Sequence, residues 1–279
     1  MPASLDVIRR SYARLVTARA GVGDPRIVDA FASVKRETFV GPGPWQIKVA
    51  AGGYMASDTD DPVVLYQDIL VALVPEKGFN NGEPSLHAKC IGEAQPKLGE
   101  VVIHIGAGTG YYTAILAHVV GERGKVHAYE IEPDLAGQAI DNLTPYPTVT
   151  VYPRSIGRDD VPTADIIYVS AGCTHVPAEW LDALAIRGRL VLPLTPHDRL
   201  GCMLLVTRVS EHVYGACVFS SAGFIPCVGF RNDEESRALA EALEARDSSE
   251  VRSLRRGNQP DQTAWCVGNG WWLSTAAPA

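Results

Sequence analysis

The sequence predicts an α/β fold built on a central, mostly parallel sheet with an antiparallel edge. Three observations carry that prediction. Short apolar runs alternate with helical patterns from residue 86 onward. One of these runs, Val101–Ile105, leads straight into Gly106-Ala107-Gly108-Thr109-Gly110 and then into a helical pattern. Beyond residue 200 come two apolar runs, Cys202–Val209 and Val213–Ser220, with a short polar stretch between them. Parallel strands need crossover connections, which the intervening helices supply. A closing hairpin adds the antiparallel edge.

Composition narrows the class. The chain has 279 residues, 46% of them apolar and 20% charged. That describes a globular protein of about one or two domains. Lys plus Arg number 25 and Asp plus Glu 32, for a net charge of −7. A duplex nucleic-acid binder normally carries a basic surplus to neutralise phosphate, so no nucleic-acid partner is expected. No apolar run reaches the roughly 18 residues of a membrane span, so no membrane partner is expected either. The N-terminus lacks the apolar stretch and small-residue cleavage site of a secretory signal. Six scattered cysteines without C-x-x-C spacing read as reduced, buried thiols, and a cytoplasmic location follows as an expectation.

Each element has its own signal. Leu5, Ile8, Tyr12, Leu15 and Val16 recur near the helical period. Asp24-Pro25 starts a second helix carrying Ile27, Ala30 and Phe31 on one face. Glycines, prolines and the Asp58–Asp61 cluster mark residues 41–64 as loop-rich. Leu86–Leu98 reads as a helix, Val101–Ile105 as a strand and Tyr112–Val120 as a helix. Lys125–Ile131, Thr148–Tyr152, Asp165–Ser170 and Gly188–Leu194 read as strands, with helices at Pro133–Leu143 and Glu179–Ala185. Residues 233–246 form a short amphipathic helix, 247–262 a polar loop, and the end a hairpin around Gly268-Asn269-Gly270. The expected division is a helical and loop region over 1–79, a ligand-binding domain over 80–230 and a C-terminal extension over 231–279.

The glycine turn points to chemistry. Glycines after a strand let the backbone turn sharply and let a ligand approach closely. A dinucleotide fingerprint needs G-x-G-x-x-G and a pyrophosphate over the helix start. Here the third glycine comes one residue early, Tyr111 fills the expected position, and no basic residue lies near the turn. The second strand ends at Glu130-Ile131, and an acid there can accept both hydroxyls of a ribose. The pair suits a nucleoside ligand without phosphates, and S-adenosyl-L-methionine is the commonest such cofactor.

These residues, with others in order, resemble the protein-L-isoaspartate (D-aspartate) O-methyltransferase family over residues of about 5–230. Ala32–Val40 is similar to that family's V-P-R-E-x-F-V element. Tyr66-Gln67-Asp68 is similar to its Tyr-x-Asp, and Pro84-Ser85-Leu86-His87-Ala88 stands where it has Pro-His-Met-His-Ala. Gly106–Leu116, Asp165–Pro177 and Gly188–Pro193 look like its later motifs. The resemblance implies a Rossmann-like S-adenosylmethionine-dependent methyltransferase fold and carboxyl methylation. It implies cofactor contacts at Gly106, Ala107, Gly108, Thr109, Gly110, Glu130, Ile131, Ser155, Ile156 and Ser170. Around the acceptor it implies His87 and Ser85, and His175 joins them by its place in the loop after the fourth strand, where acceptors dock in this fold class.

The departures concern the acceptor. The family's Thr-Ile-Ser-Ala-Pro-His-Met-His is here Asn80-Asn81-Gly82-Glu83-Pro84-Ser85-Leu86-His87. Gly82 replaces a serine, Glu83 adds a negative charge, and Ser85 replaces a histidine. The family's Gly-Asp-Gly after the third strand is here Arg154-Ser155-Ile156-Gly157, without the adenine-side Asp. An Asn-Pro-Pro-Tyr motif, which marks many amino-methyltransferases, is absent after the fourth strand, where Ser170-Ala171-Gly172-Cys173 stands.

Three functions stay open at this point. One is methylation of a carboxylate on a small molecule or modified peptide, which the departures favour. The second is isoaspartyl protein repair. The third is a regulatory protein that binds the cofactor without catalysis. If the acceptor is a carboxylate, cations at Arg154, Arg158, Arg252, Arg255 and Arg256 are the expected source of attraction against the negative net charge. His104 reads as a buried strand residue, Cys173 as inert, and Trp271-Trp272 as packing. No metal site is expected, and the sequence assigns no oligomeric state.

Overall fold

The computed structural model describes residues 4–50, 52–157 and 161–279. In chain order, helices α1 (Leu5–Arg19) and α2 (Pro25–Ser33) precede two short ribbons. These are β1 (Gln46–Lys48) with β2 (Tyr54–Ala56), and β3 (Ala72–Val74) with β4 (Phe79–Asn80). Then follow α3 (Pro84–Ala94), β5 (Val101–Ile105), α4 (Tyr111–Val120), β6 (Lys125–Tyr129), α5 (Pro133–Asn142) and β7 (Val149–Tyr152). The second half holds β8 (Ala164–Val169), α6 (Ala178–Ala183), β9 (Leu184–Leu194), β10 (Gly201–Arg208) and β11 (Tyr214–Ala222). It ends with α7 (Asp233–Ala245), β12 (Ser253–Arg256), β13 (Ala264–Gly268) and β14 (Trp271–Ser274).

The chain divides into two compact units. One comprises the chain up to Glu100 together with Ala107–Arg154. Its centre is α4, whose residues are buried except His118. A helix apolar on all sides must be covered on all sides, and here Phe31 and Phe39 cover it through ring contacts to Tyr111 and Tyr112, and Tyr12 through a hydroxyl contact to Tyr111 at 3.3 Å. Asp24 caps α2 through the Arg26 N–H at 2.9 Å, as the Asp-Pro signal predicts. Strands β6 and β7 pair in parallel.

A buried arginine ties this unit's loops together. Arg36 is fully buried, and its guanidinium donates to the carbonyls of Leu65 (2.6 Å), Gln67 (3.0 Å) and Ile69 (2.5 Å) and to Asn81 Oδ1 (3.0 Å). Asn81 Oδ1 also accepts from the Val71 N–H. The planar fork of donors suits several fixed carbonyls at once.

The other unit comprises Val101–Gly106 and Ser155–Ala279. Its sheet runs β13-β14-β12-β11-β10-β9-β8-β5. The pairs β5–β8 and β8–β9 are parallel, and every later pair is antiparallel. The expected α/β class and the antiparallel edge are both present. The edge is wider than one hairpin, because the C-terminal strands join it. Residues 253–256, read from sequence as loop, form β12 between β11 and β14. Ser253 and Leu254 are buried, while Arg255 and Arg256 lend the segment its polar look. Among the described residues, no helix is long and apolar enough to cross a membrane.

Candidate active site

The glycine turn is built by backbone hydrogen bonds and one carboxylate. The Ala107 N–H donates to the Tyr129 carbonyl at 3.1 Å, and the Gly110 N–H to the Ala107 carbonyl at 3.0 Å. The Gly108 N–H donates to Glu130 Oε2 at 2.7 Å. Gly108 and Gly110 have φ of +56° and +98°, a region in which a Cβ is strained. Behind the turn, Thr109 is buried and its hydroxyl donates to the Phe39 carbonyl at 2.5 Å. Its own carbonyl accepts from Asn142.

Glu130 is 6% exposed, and its Oε1 accepts the Glu132 N–H at 2.9 Å. Burial pushes its carboxyl above the ordinary glutamate value, and the backbone donors of Glu132, Gly108 and Ile131 offset part of that rise. Each carboxylate oxygen has about two acceptor sites. Three backbone donors on about four acceptor sites leave capacity for a ribose hydroxyl. The turn and the acid therefore fit the ribose of an S-adenosyl-L-methionine. Ile131, next in the chain, is exposed, as a residue beside a ligand can be.

The loop ahead of α3 is pinned on every side. The Asp68 carboxylate accepts the Ser85 N–H at 2.8 Å and pairs with Arg19 at 2.8 Å. An acid at a helix start satisfies a free N–H and complements the helix dipole. The Ser85 hydroxyl donates to Glu83 at 3.2 Å. His87 is buried, and its ring stacks on Tyr112 with centroids 3.6 Å apart and planes 7° off parallel. The Tyr112 hydroxyl donates to the Gly82 carbonyl at 3.1 Å. Gly82 has φ +74°, and the His87 imidazole fills the space a side chain at 82 would need. So His87 and Gly82 are brought together, while Ser85 and Glu83 hold one another.

The remaining candidates lie in the other unit. Gly106, at φ +75°, packs against Ser170. The Ser170 N–H donates to the Ile105 carbonyl at 2.8 Å, and its hydroxyl meets His104 Nε2 at 3.0 Å. His104 is buried as expected, and burial depresses its pKa to about 3. Ile156 is buried, whereas Ser155 is exposed with its hydroxyl 3.5 Å from the Ile156 carbonyl.

His175 follows β8, and ligands in open α/β sheets bind outside the carboxyl ends of strands. Its Nδ1 lies 3.0 Å from Glu235 Oε2, in α7. Glu235 also accepts the Asn269 N–H at 2.9 Å and the Trp271 indole N–H at 3.1 Å. Burial would raise the Glu235 carboxyl, but donors from His175, Asn269 and Trp271 outweigh it and hold the group low. The indole of Trp271 thus packs and anchors, as expected for a paired Trp. Cys173 is buried, its thiol pushed up first by burial and then by its hydrogen bond to Cys227, which suits an inert thiol.

The expected cations are engaged elsewhere. Arg154 lies over the rings of Tyr129 and Tyr152 at 5.5 and 5.6 Å. Arg252 donates to the Ser249 and Val251 carbonyls, and Arg255 to those of Ala277 and Ala279. Arg256 pairs with Asp182. Arg158 lies outside the described residues. Sequence reasoning overlooked Arg36, Arg231 and Glu235, whose partners are remote in the chain. Only the helix-start pattern Asn232-Asp233-Glu234-Glu235 marked that neighbourhood, and it marks a cap, which Asn232 supplies.

Comparison with known proteins accords with this geometry. The family model described as protein-L-isoaspartate(D-aspartate) O-methyltransferase matches residues 14–232. Protein-L-isoaspartate O-methyltransferase 2 of Marinobacter nauticus is 31% identical over 229 residues, covering 81% of this chain and 94% of the relative. The protein-L-isoaspartate O-methyltransferase of Protochlamydia amoebophila is 30% identical over 218 residues, covering 76% and 92%. A solved protein-L-isoaspartate O-methyltransferase shares the fold with a TM-score of 0.66 at 23% identity, over 84% of this chain and 68% of that one. A putative one from Plasmodium falciparum, in complex with S-adenosyl-L-homocysteine, gives 0.62 at 18% identity, over 78% and 97%.

Proposed function

The chain belongs to the protein-L-isoaspartate (D-aspartate) O-methyltransferase family, an S-adenosyl-L-methionine-dependent class, and from that premise we propose that its acceptor is the isoaspartyl carboxylate of a peptide or protein. The observation that carries the cofactor half is the buried Glu130 carboxylate on the Gly108 N–H. The acceptor half is supported by relatives of that name at 30–31% identity across most of their length.

The bound cofactor supplies a methyl group on a positively charged sulfur, ready for in-line displacement. Glu130 receives a ribose hydroxyl. Gly106, Gly108 and Gly110 keep side chains out of the cofactor's way, with Ala107 and Thr109 completing the turn. Ile131, Ser155, Ile156 and Ser170 are assigned to the cofactor by the resemblance. An acceptor carboxylate is already ionised at neutral pH. No strong base is required, and the protein's contribution is position and exclusion of water. His87, Ser85 and His175 are the acceptor-side groups in this reading.

One observation favours a second acceptor. Where the family has a serine, this chain has Gly82, and the His87 imidazole takes up the room. A carboxylate on a differently modified peptide fits that change. A small-molecule acceptor has no feature of its own in support. Incubation with the cofactor and matched isoaspartyl and aspartyl peptides tests the reading. One methyl ester on the isoaspartyl peptide alone is expected. Cofactor binding without esterification of it would overturn the acceptor assignment.

A further inference from the structure

The segment beyond residue 232 lies outside the family match, and through Glu235 it reaches the loop at the carboxyl end of β8, which residues 225–232 hold just ahead of it. Arg231, at its threshold, donates to the Gly172 carbonyl (3.0 Å), the Thr195 carbonyl (2.7 Å) and the Thr195 hydroxyl (2.8 Å). The Asn232 N–H donates to the Thr174 hydroxyl at 2.8 Å. The Thr174 N–H donates to the Phe230 carbonyl at 3.2 Å, and the Gly172 N–H to the Ile225 carbonyl at 2.7 Å. Glu235 then holds His175 at 3.0 Å and is itself held by Asn269 and Trp271 of the final hairpin. Every residue from Gly172 to His175 has a partner between Ile225 and Glu235, Cys173 through its thiol on Cys227.

We propose that the C-terminal extension is a scaffold for the acceptor loop 172–175, with Glu235 the positioning residue that orients His175 toward the acceptor. A carboxylate on Nδ1 fixes both ring orientation and tautomer, which leaves Nε2 as the group turned to a ligand. The Thr174 hydroxyl, 3.4 Å from the same Nδ1, is a weaker hold on the ring than the carboxylate at 3.0 Å. The final hairpin supplies the counter-hold, since Asn269 and Trp271 keep Glu235 from following the ring. The acceptor role rests on the methyltransferase reading above. The ordering of the loop does not.

The test uses the full chain and the variants Glu235→Ala, Glu235→Gln and His175→Ala. Amide hydrogen exchange at 172–175 is expected to quicken about tenfold in Glu235→Ala, as local opening becomes easier. In Glu235→Gln, which keeps an oxygen for Asn269 and Trp271, the rate stays close to that of the unaltered chain. With isoaspartyl peptide as acceptor, Glu235→Ala and His175→Ala each raise KM about fivefold, while cofactor affinity stays within about twofold. The double variant is no worse than His175→Ala alone, because the two residues act as one unit. Should Glu235→Ala fail to fold, His175→Ala carries the same exchange and KM expectations. Unchanged exchange at 172–175 in both variants would overturn the scaffold. Additive KM effects would overturn the positioning role. If the unaltered chain esterifies no isoaspartyl peptide, the acceptor reading fails, and exchange still decides the scaffold.

Discussion

The imidazole of His87 lies where a side chain on residue 82 would have to be, and the backbone of Gly82 adopts the left-handed conformation that spares it. The two residues are five apart in sequence and exclude one another's alternatives. Tyr112 fixes both, stacking on the ring and donating to the Gly82 carbonyl.

A Gly82→Ala variant must therefore carry a Cβ at positive φ and displace the ring. The first costs about 1–2 kcal/mol and the second about 1–3 kcal/mol. Chemical denaturation should show a loss in that combined range, and Gly82→Ser should be no milder.

On the proposed reading, Glu130 is the residue that sets cofactor affinity. Replacing it with Gln removes the charge and turns one acceptor into a donor. Cofactor affinity, measured by calorimetry, should fall about 10–100-fold, the worth of a hydrogen bond to a charged group. Because the buried carboxyl titrates above the ordinary glutamate range, affinity should be full at neutral pH. It should decline on acidification at a higher pH than an exposed glutamate would give. The Gln variant should lack that decline.

His104 gives the fold an acid-sensitive window. Its folded pKa is depressed to about 3, against 6.5 for the free side chain. Below 6.5 the unfolded chain binds a proton that the folded chain refuses. The stability is complete above that value and drains away as pH falls toward 3, at up to about 1.4 kcal/mol per pH unit. His104→Gln should flatten this part of the stability curve in denaturant titrations at stepped pH.

Arg36→Ala should be among the most destabilising single changes in the chain. It strands the carbonyls of Leu65, Gln67 and Ile69 and leaves the Asn81 amide oxygen with the Val71 N–H alone. Each buried acceptor left unpaired costs about 1–3 kcal/mol. Thermal melting should show it, with Arg36→Lys intermediate, since one ammonium cannot span four acceptors.

Much of this was legible in sequence because local signals and tertiary structure agreed. Val101–Ile105 is a strand to the residue, since an apolar run that ends at glycine has few other uses. Asp24-Pro25 announced α2, and Glu130, singled out at the end of its strand, is the acid that the glycine turn folds onto. Short ribbons such as β1 and β2, three residues each, fall below any periodic signal. Strand β12 was hidden because Arg255 and Arg256 are satisfied by distant groups, namely the Ala277 and Ala279 carbonyls and Asp182. Arg36, Arg231 and Glu235 share that character. Each is an ordinary charged residue until the fold delivers its partners, and the partners are tens of residues away.

The central claim is a transfer of methyl from S-adenosyl-L-methionine to an isoaspartyl carboxylate. The most direct measurement is initial-rate transfer of labelled methyl to an isoaspartyl peptide, counted as base-labile ester, beside its aspartyl isomer. Saturable esterification of the isoaspartyl peptide and none of the isomer is expected, with Glu130→Gln suppressing the rate at limiting cofactor. Tight cofactor binding with no base-labile ester on the isoaspartyl peptide would contradict it.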